Sequence, residues 1–170
     1  MRTPTRVSAA LATMTILDAL TAIQNNGIAR AITKSDHLVI AGLQIIHVFA
    51  FLLLLSALVL MSLRLLGLAL QRQSIPQVTR GPTRLFWLGL SLAVISGALM
   101  FVTGTKHYYF NRAFDTKMLL LLIAVVLQLA LFRRLAVSES PRPALARVTV
   151  ALSLVFWFGI AIAGRAIGFV

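Results

Sequence analysis

Hydrophobic residues form four long runs along this chain, separated by short segments that contain Arg, Pro or Gly. The runs lie at residues 38–61, 85–102, 118–132 and 148–163. A helix rises about 1.5 Å per residue, and the hydrocarbon core of a bilayer is about 30 Å thick. The shortest run reaches across if its helix begins near Phe114 and Lys117 extends toward the headgroups. The pattern therefore predicts four transmembrane helices.

Residues 1–37 follow a different pattern. Arg2 and Arg6 precede an apolar stretch that Asp18 interrupts. This resembles the start of a signal peptide, but no convincing cleavage site follows it. We predict an amphipathic helix that lies at the membrane interface, with a cleaved signal or a fifth span as the alternatives.

The predicted fold class is all-α: a polytopic membrane four-helix bundle with an N-terminal amphipathic interfacial helix. The interfacial segment comprises residues 1–37, and the bundle comprises residues 38–170. Composition agrees, because the chain is 59% hydrophobic and 12% charged, with a mean hydropathy of +0.94. An average soluble domain is far less apolar and more charged.

Basic residues give the chain a net charge of +12, but they lie between the apolar runs rather than in one stripe. This distribution indicates membrane topology and argues against nucleic-acid binding. Segments 71–84 and 133–147 are rich in arginine and contain a single acid, Glu139. The positive-inside rule places both segments in the cytoplasm, which predicts a multi-pass protein of the bacterial inner membrane.

Several classes of site are excluded by composition. Cys is absent, which removes disulfides, iron–sulfur clusters, thiolate zinc sites and covalently attached c-type haem. The sequence has no Gly-rich phosphate loop, metalloprotease helix motif or nucleophile elbow. None of its four acids lies within an apolar run, so a carboxylate proton relay has no carrier. No catalytic motif is recognisable, and enzymatic activity stays undecided.

His47 has the greatest chemical significance in the apolar runs, because an ionisable side chain inside a span is costly and marks a functional site by default. Gln44 lies three residues earlier on the same helical face and can orient the imidazole, as supporting residues do for ligating histidines. A neutral histidine that is hydrogen-bonded across the bundle is the structural alternative.

These residues lead to a first hypothesis, a small redox subunit that binds b-type haem. His47 is the axial ligand, His107 the candidate second ligand, and Arg165 lies on the side where haem propionates would bind. At helical pitch His47 and His107 are not level, so binding one haem between them requires helix tilt or an unwound turn.

Two other hypotheses stay open. The first is a non-catalytic accessory subunit that holds another membrane or periplasmic protein, with His47 in a structural role. The second is copper handling, in which His47 and His107 act with the nearby Met100 and Met118.

Small residues recur every four positions in the second run, at Gly89, Ala93 and Gly97. Such spacing lets helix backbones approach closely. We predict tight packing inside one bundle, in preference to a homodimer seam.

Five short motifs follow one another along the chain: Gln44-x-x-His47, Leu63-Arg64-Leu65-Leu66-Gly67, Ser96-Gly97, Tyr109-x-Asn111-x-x-Phe114-x-x-Lys117 and Gly164-Arg165. In this order the chain resembles an uncharacterised bacterial family of small four-helix membrane proteins, similar in layout to the membrane domain of CopD-type copper-resistance proteins. The resemblance implies the fold of nearly everything after the N-terminal segment, and it implies no settled activity. Gln44 and Ser62 stand where that family commonly has acids, so functions of those acids do not transfer.

Overall fold

The computed structural model describes residues 6–35, 37–136 and 142–169, and the regular structure in these ranges is helical. The elements in chain order are α1 (Arg6–Gln24), α2 (Gly27–Lys34), α3 (His37–Leu65), α4 (Ile75–Thr103), α5 (Thr105–Tyr109), α6 (Arg112–Leu127), a π-turn (Gln128–Phe132), α7 (Arg133–Ala136) and α8 (Pro143–Ala166).

Four stretches of these helices are long and apolar enough to cross a membrane. Three of them are α3, α4 and α8, and the third span in chain order runs from Arg112 to Leu135 through α6, the π-turn and α7. The predicted all-α, multi-pass architecture is confirmed. Large apolar side chains cover the outside of the spans, including Phe49, Leu122 and Ile162, as expected for surfaces that contact lipid.

The four spans form two packed pairs. Helix α3 lies along α4, helix α6 lies along α8, and α3 also contacts α8 and joins the pairs. The end of α3, the start of α4, α7 and the start of α8 lie at one end, here called the basic-loop end. The opposite end, which contains α5, is the α5 end.

Aromatic and aliphatic side chains fill the interior between the pairs. Trp157 of α8 is fully buried, and its ring meets that of Phe86 edge-on at 5.3 Å and that of Phe51 at 6.2 Å. Trp157 therefore packs within the bundle.

Helix α4 begins ten residues before the second apolar run, and this corrects the sequence interpretation of residues 71–84 as a loop. Pro76 lies in the first turn, where its missing N–H costs nothing, whereas Pro82 lies inside the helix and removes one hydrogen bond. The early turns persist because Ile75 and Val78 are buried in the core. The connection is closed by Arg64, whose Nε donates to the carbonyl of Gln73 at 3.1 Å.

The N-terminal helices lie at the α5 end of the bundle. Helix α1 contacts α5 and α4, and α2 contacts α4 and α3. Asn26 begins α2, where its Oδ1 accepts a hydrogen bond from the Ala29 amide at 2.8 Å. The part of α1 at Met14–Gln24 is an apolar helix shorter than the four spans, and the interfacial position of residues 1–37 stays a prediction.

Helices α3 and α4 approach each other closely at Gly89. A Cβ atom at this position would lie 2.7 Å from the Ala50 carbonyl oxygen and 2.9 Å from the Leu54 amide nitrogen. Real Cβ atoms do not come so near to backbone, so the contact exists only because residue 89 is glycine. The small-residue stripe of the second run thus packs inside the bundle, as predicted.

We expect Gly89→Ala to lower the free energy of unfolding by about 1–3 kcal/mol, because the new methyl group forces α3 and α4 apart. Thermal unfolding of the purified protein in detergent, followed by circular dichroism, measures the change. Gly42→Ala is the control, since a Cβ there meets nothing within 4 Å and alanine favours helix. Equal midpoints for the two variants would contradict the close contact.

We also expect the basic-loop end to face the cytoplasm, because arginine-rich connections resist export. Gln73→Cys and Lys106→Cys place single exposed thiols at the two ends of a chain that has no cysteine of its own. In intact cells an impermeant maleimide should label position 106 and leave position 73 unlabelled until the cells are lysed. The reverse pattern would invert the topology.

Candidate functional site

His47 lies on α3 about 15 Å along the helix from His37, at 1.5 Å per residue, so it is well within the span. Its ring is held from two sides by different helices. Nδ1 lies 3.0 Å from Ser96 Oγ on α4, and Nε2 lies 3.4 Å from Lys117 Nζ on α6. We call these three residues the His47 cluster.

Hydrogen bonds through the His47 cluster run in a single direction. The Ser96 hydroxyl donates to the Leu92 carbonyl at 2.7 Å, so its oxygen is the acceptor for the imidazole. His47 then carries its proton on Nδ1 and presents the lone pair of Nε2 to Lys117. The lysine N–H is the donor at this end. The cluster thereby links three helices through one neutral imidazole.

Two glycines make room for the cluster. A Cβ at Gly97 would lie 3.2 Å from His47 Cε1, and a Cβ at Gly164 would lie 3.4 Å from Lys117 Nζ. The first contact is tighter than an ordinary van der Waals distance, so a larger residue at 97 would displace the imidazole. Gly164 belongs to α8, so all four spans border the cluster.

Asn111 fixes the height at which Lys117 enters the bundle. It precedes α6, and its Oδ1 accepts from the amides of Ala113 at 2.9 Å and Phe114 at 3.2 Å. Its Nδ2 donates to the Ile167 carbonyl at 3.2 Å, which ties the start of α6 to the end of α8. The cap therefore sets the register of the helix that positions the lysine.

An aromatic cluster closes the α5 end beside this cap. The rings of Phe101 and Phe114 stack at 5.4 Å, and Tyr108 packs against both. Burial raises the pKa of Tyr108, so its phenol stays protonated in the physiological range.

Lys117 has no carboxylate partner in the described part of the chain. The sequence contains four acids. Of the two that the structure describes, Asp115 is exposed on α6 and Asp18 is exposed on α1. An ammonium group inside a span is expensive unless it is paired. The charge of Lys117 is the feature of the site that most needs a partner.

The structure separates the four residues that the sequence grouped with a cofactor. His47 is in the cluster, whereas Gln44 is exposed. His107 is exposed on α5, with its ring edge-on to Tyr108 at 5.4 Å. Arg165 is also exposed, and its guanidinium lies 4.6 Å from the centre of the Phe169 ring. The side-chain partners of the imidazole in the described part of the chain are instead Ser96 and Lys117.

The residues proposed for copper are also dispersed. Met118 is exposed and Met100 is partly buried. Among the described residues there is no group of three or more His, Cys, Asp or Glu side chains placed to hold a metal ion.

Sequence reasoning missed both partners of His47. In the sequence Ser96 stands out only as part of a motif, and the position of Lys117 predicts that it extends toward the headgroups. The structure corrects the second point, because the ammonium group points inward to the imidazole. The available signal was the position of Lys117 at the start of an apolar run. A lysine there reaches either the interface or the interior, and only the neighbouring helices decide which.

No curated protein and no solved structure gives a significant match to this chain. The likeness to CopD-type membrane domains therefore stays a prediction. One family model matches residues 20–170, which include α2, the four spans and every residue of the His47 cluster. The family has no assigned function, in agreement with the uncharacterised family expected from the sequence. The chain belongs to the family of unknown function DUF6644.

Proposed function

We propose that this protein is a non-catalytic membrane subunit that binds the acid group of an amphipathic ligand at the His47 cluster. The observation that carries the proposal is the Lys117 ammonium group, which lies against His47 Nε2 at 3.4 Å and has no carboxylate partner among the described residues. A bound anion would supply the missing charge.

The hydrogen-bonding capacity of the cluster supports an acceptor ligand. An ammonium group has three N–H donors, and the imidazole accepts one of them. The other two are free to bind the two oxygens of a carboxylate. Because charge-assisted hydrogen bonds are stronger than neutral ones, an acid is preferred over an alcohol or an ester.

The shape of the site favours a small, flat group. Gly97 and Gly164 contact the cluster closely, which suits a planar carboxylate better than a bulkier tetrahedral phosphate. His47 and Lys117 are only partly buried, so a head group can reach them. The apolar chain of such a ligand would lie along the lipid-facing surface of the spans.

We expect oleate to raise the thermal midpoint of the full-length protein in detergent and methyl oleate to leave it unchanged, because only the acid pairs with Lys117. A ligand at one hundred times its Kd raises the free energy of unfolding by about 2.7 kcal/mol, which corresponds to a shift of roughly 5–11 °C for a chain of this size. Lys117→Met should abolish the shift.

Lys106→Met is the matched control, since it removes an exposed lysine from α5 and should keep the oleate response. Lys117→Met also separates binding from a structural role. Without ligand it should raise the midpoint, because an unpaired charge leaves the membrane interior. A lower midpoint together with an unchanged oleate response would refute the proposal and make Lys117 a structural clamp.

A b-type haem is the second candidate, and the orientation of His47 favours it. Ser96 holds Nδ1 and directs Nε2 into the bundle, which is how supporting hydrogen bonds orient ligating histidines. Lys117 Nζ occupies the ligand position, so the lysine side chain would have to turn toward a haem carboxylate. The residues that would hold the group are His47 at the iron and Lys117 at a propionate, and haem would supply one-electron redox chemistry.

If haem is the ligand, protein purified from a haem-replete host should show a Soret band that His47→Ala abolishes. His107→Ala is the control and should leave the band unchanged, because that ring lies on the exposed α5. Absorption spectra of the two variants decide the matter. A folded, monodisperse wild-type protein without a Soret band would rule out haem and leave the carboxylate proposal intact.

A further inference from the structure

A second polar site lies at the basic-loop end, away from the His47 cluster. A cleft of about 650 Å³ opens between the first half of α4 and the end of the third span. We call it the arginine cleft, after Arg80, Arg84 and Arg133, which line it. From its charge, its walls and its depth, we infer that the arginine cleft binds the phosphate of an anionic phospholipid headgroup.

The described residues of the cleft carry only positive charge. Among them the lining has three arginines and no acid. Arg80 and Arg84 are four residues apart on one face of α4, where like charges destabilise a helix. An anion bound between these two arginines and Arg133 would attract all three guanidinium groups and offset their mutual repulsion. A guanidinium can also donate two parallel hydrogen bonds to a phosphate.

The π-turn places two residues of the third span, Gln128 and Arg133, on the wall of the cleft. Residues five apart in an α-helix are separated by about 140° around the axis, at 3.6 residues per turn. Hydrogen bonding from residue i to i+5 in a π-helix places them nearly in line, and here the Arg133 amide donates to the Gln128 carbonyl. Gln128 and Arg133 therefore share the cleft wall.

Gln128 adds a buried polar group to the wall. Its side chain is only 4% exposed, and its Oε1 lies 3.4 Å from the Ser153 hydroxyl on α8. With the oxygen directed to Ser153, the amide NH₂ is the part available to the cleft. A donor at the base of an arginine cluster suits an acceptor ligand such as a phosphate oxygen.

The position and the apolar walls indicate a lipid in preference to free phosphate. The cleft lies where the spans end, at the depth of lipid headgroups, and Trp87 and Phe132 form its inner walls. Helices α4 and α6 belong to different packed pairs, and the cleft lies between α4 and the end of the third span. Basic pockets between transmembrane helices bind acidic headgroups in this way.

The test uses the full-length protein in detergent, with native mass spectrometry to count and titrate bound dioctanoyl phosphatidylglycerol. One molecule should bind with a Kd at least about tenfold below that of dioctanoyl phosphatidylcholine, because each arginine near an anionic headgroup contributes to affinity. Equal excess of inorganic phosphate should not displace it. Displacement would assign the cleft to a free phosphate and overturn the lipid proposal.

The cleft variant combines Arg80→Gln, Arg84→Gln and Arg133→Gln. The matched control combines Arg72→Gln, Arg134→Gln and Arg147→Gln. Both remove three exposed arginines from the same end of the protein. The cleft variant should weaken phosphatidylglycerol binding at least about tenfold, and the control less than about threefold. Equal losses would mean diffuse attraction and would overturn a specific site. If the triple variant does not fold, the single changes Arg84→Gln and Arg72→Gln repeat the comparison.

Discussion

The close backbone contact between α3 and α4 is the interaction on which the rest of the bundle depends. Between helices in lipid, burying apolar surface gains little, because acyl chains are as apolar as the side chains they replace. Helices must instead gain energy from dense packing. Gly89 allows the two backbones to touch at Ala50 and Leu54. His47 lies one turn before Ala50 on α3, and Ser96 lies two turns beyond Gly89 on α4. The close contact therefore brings His47 against Ser96.

A shortage of acids shapes the chemistry of the molecule. The chain has 16 Lys and Arg residues but only four Asp and Glu residues, so most cations cannot be paired within it. Exposed cations are solvated by water and headgroups at little cost. Lys117 differs because it lies partly buried within a span, and the arginine cleft differs because three like charges line one cavity. The anions that balance them are therefore expected from the surroundings of the protein.

The two sites differ in depth, and depth determines what each can bind. The His47 cluster lies within the span, where one ammonium group and one imidazole lie beside Gly97 and Gly164. The arginine cleft lies at the end of the spans, is wider, and has three permanent charges. A single carboxylate suits the first site and a phosphodiester suits the second. The sites lie toward opposite ends of the bundle, so their proposed ligands belong to opposite leaflets.

The sequence by itself determined the four spans, the helical class, the intramembrane histidine and the use of the small residues in α4. Each depends on a property of a local segment, such as apolar length, or on a spacing along one helix. The sequence did not predict that α4 would begin at Ile75, because a segment with Pro76, Gly81 and Pro82 has the local preferences of a loop. Burial of Ile75 and Val78 against other helices outweighs those preferences.

Only the tertiary structure decided which residues meet. Ser96 is 49 residues from His47 along the chain and Lys117 is 70 residues away, and no local pattern encodes such pairs. Gln44, the neighbour on the same helix, is exposed instead. The arginine cleft depends in addition on the π-turn, which rotates Arg133 into line with Gln128. Helix packing and register set these positions, and both arise from contacts between segments that are distant in sequence.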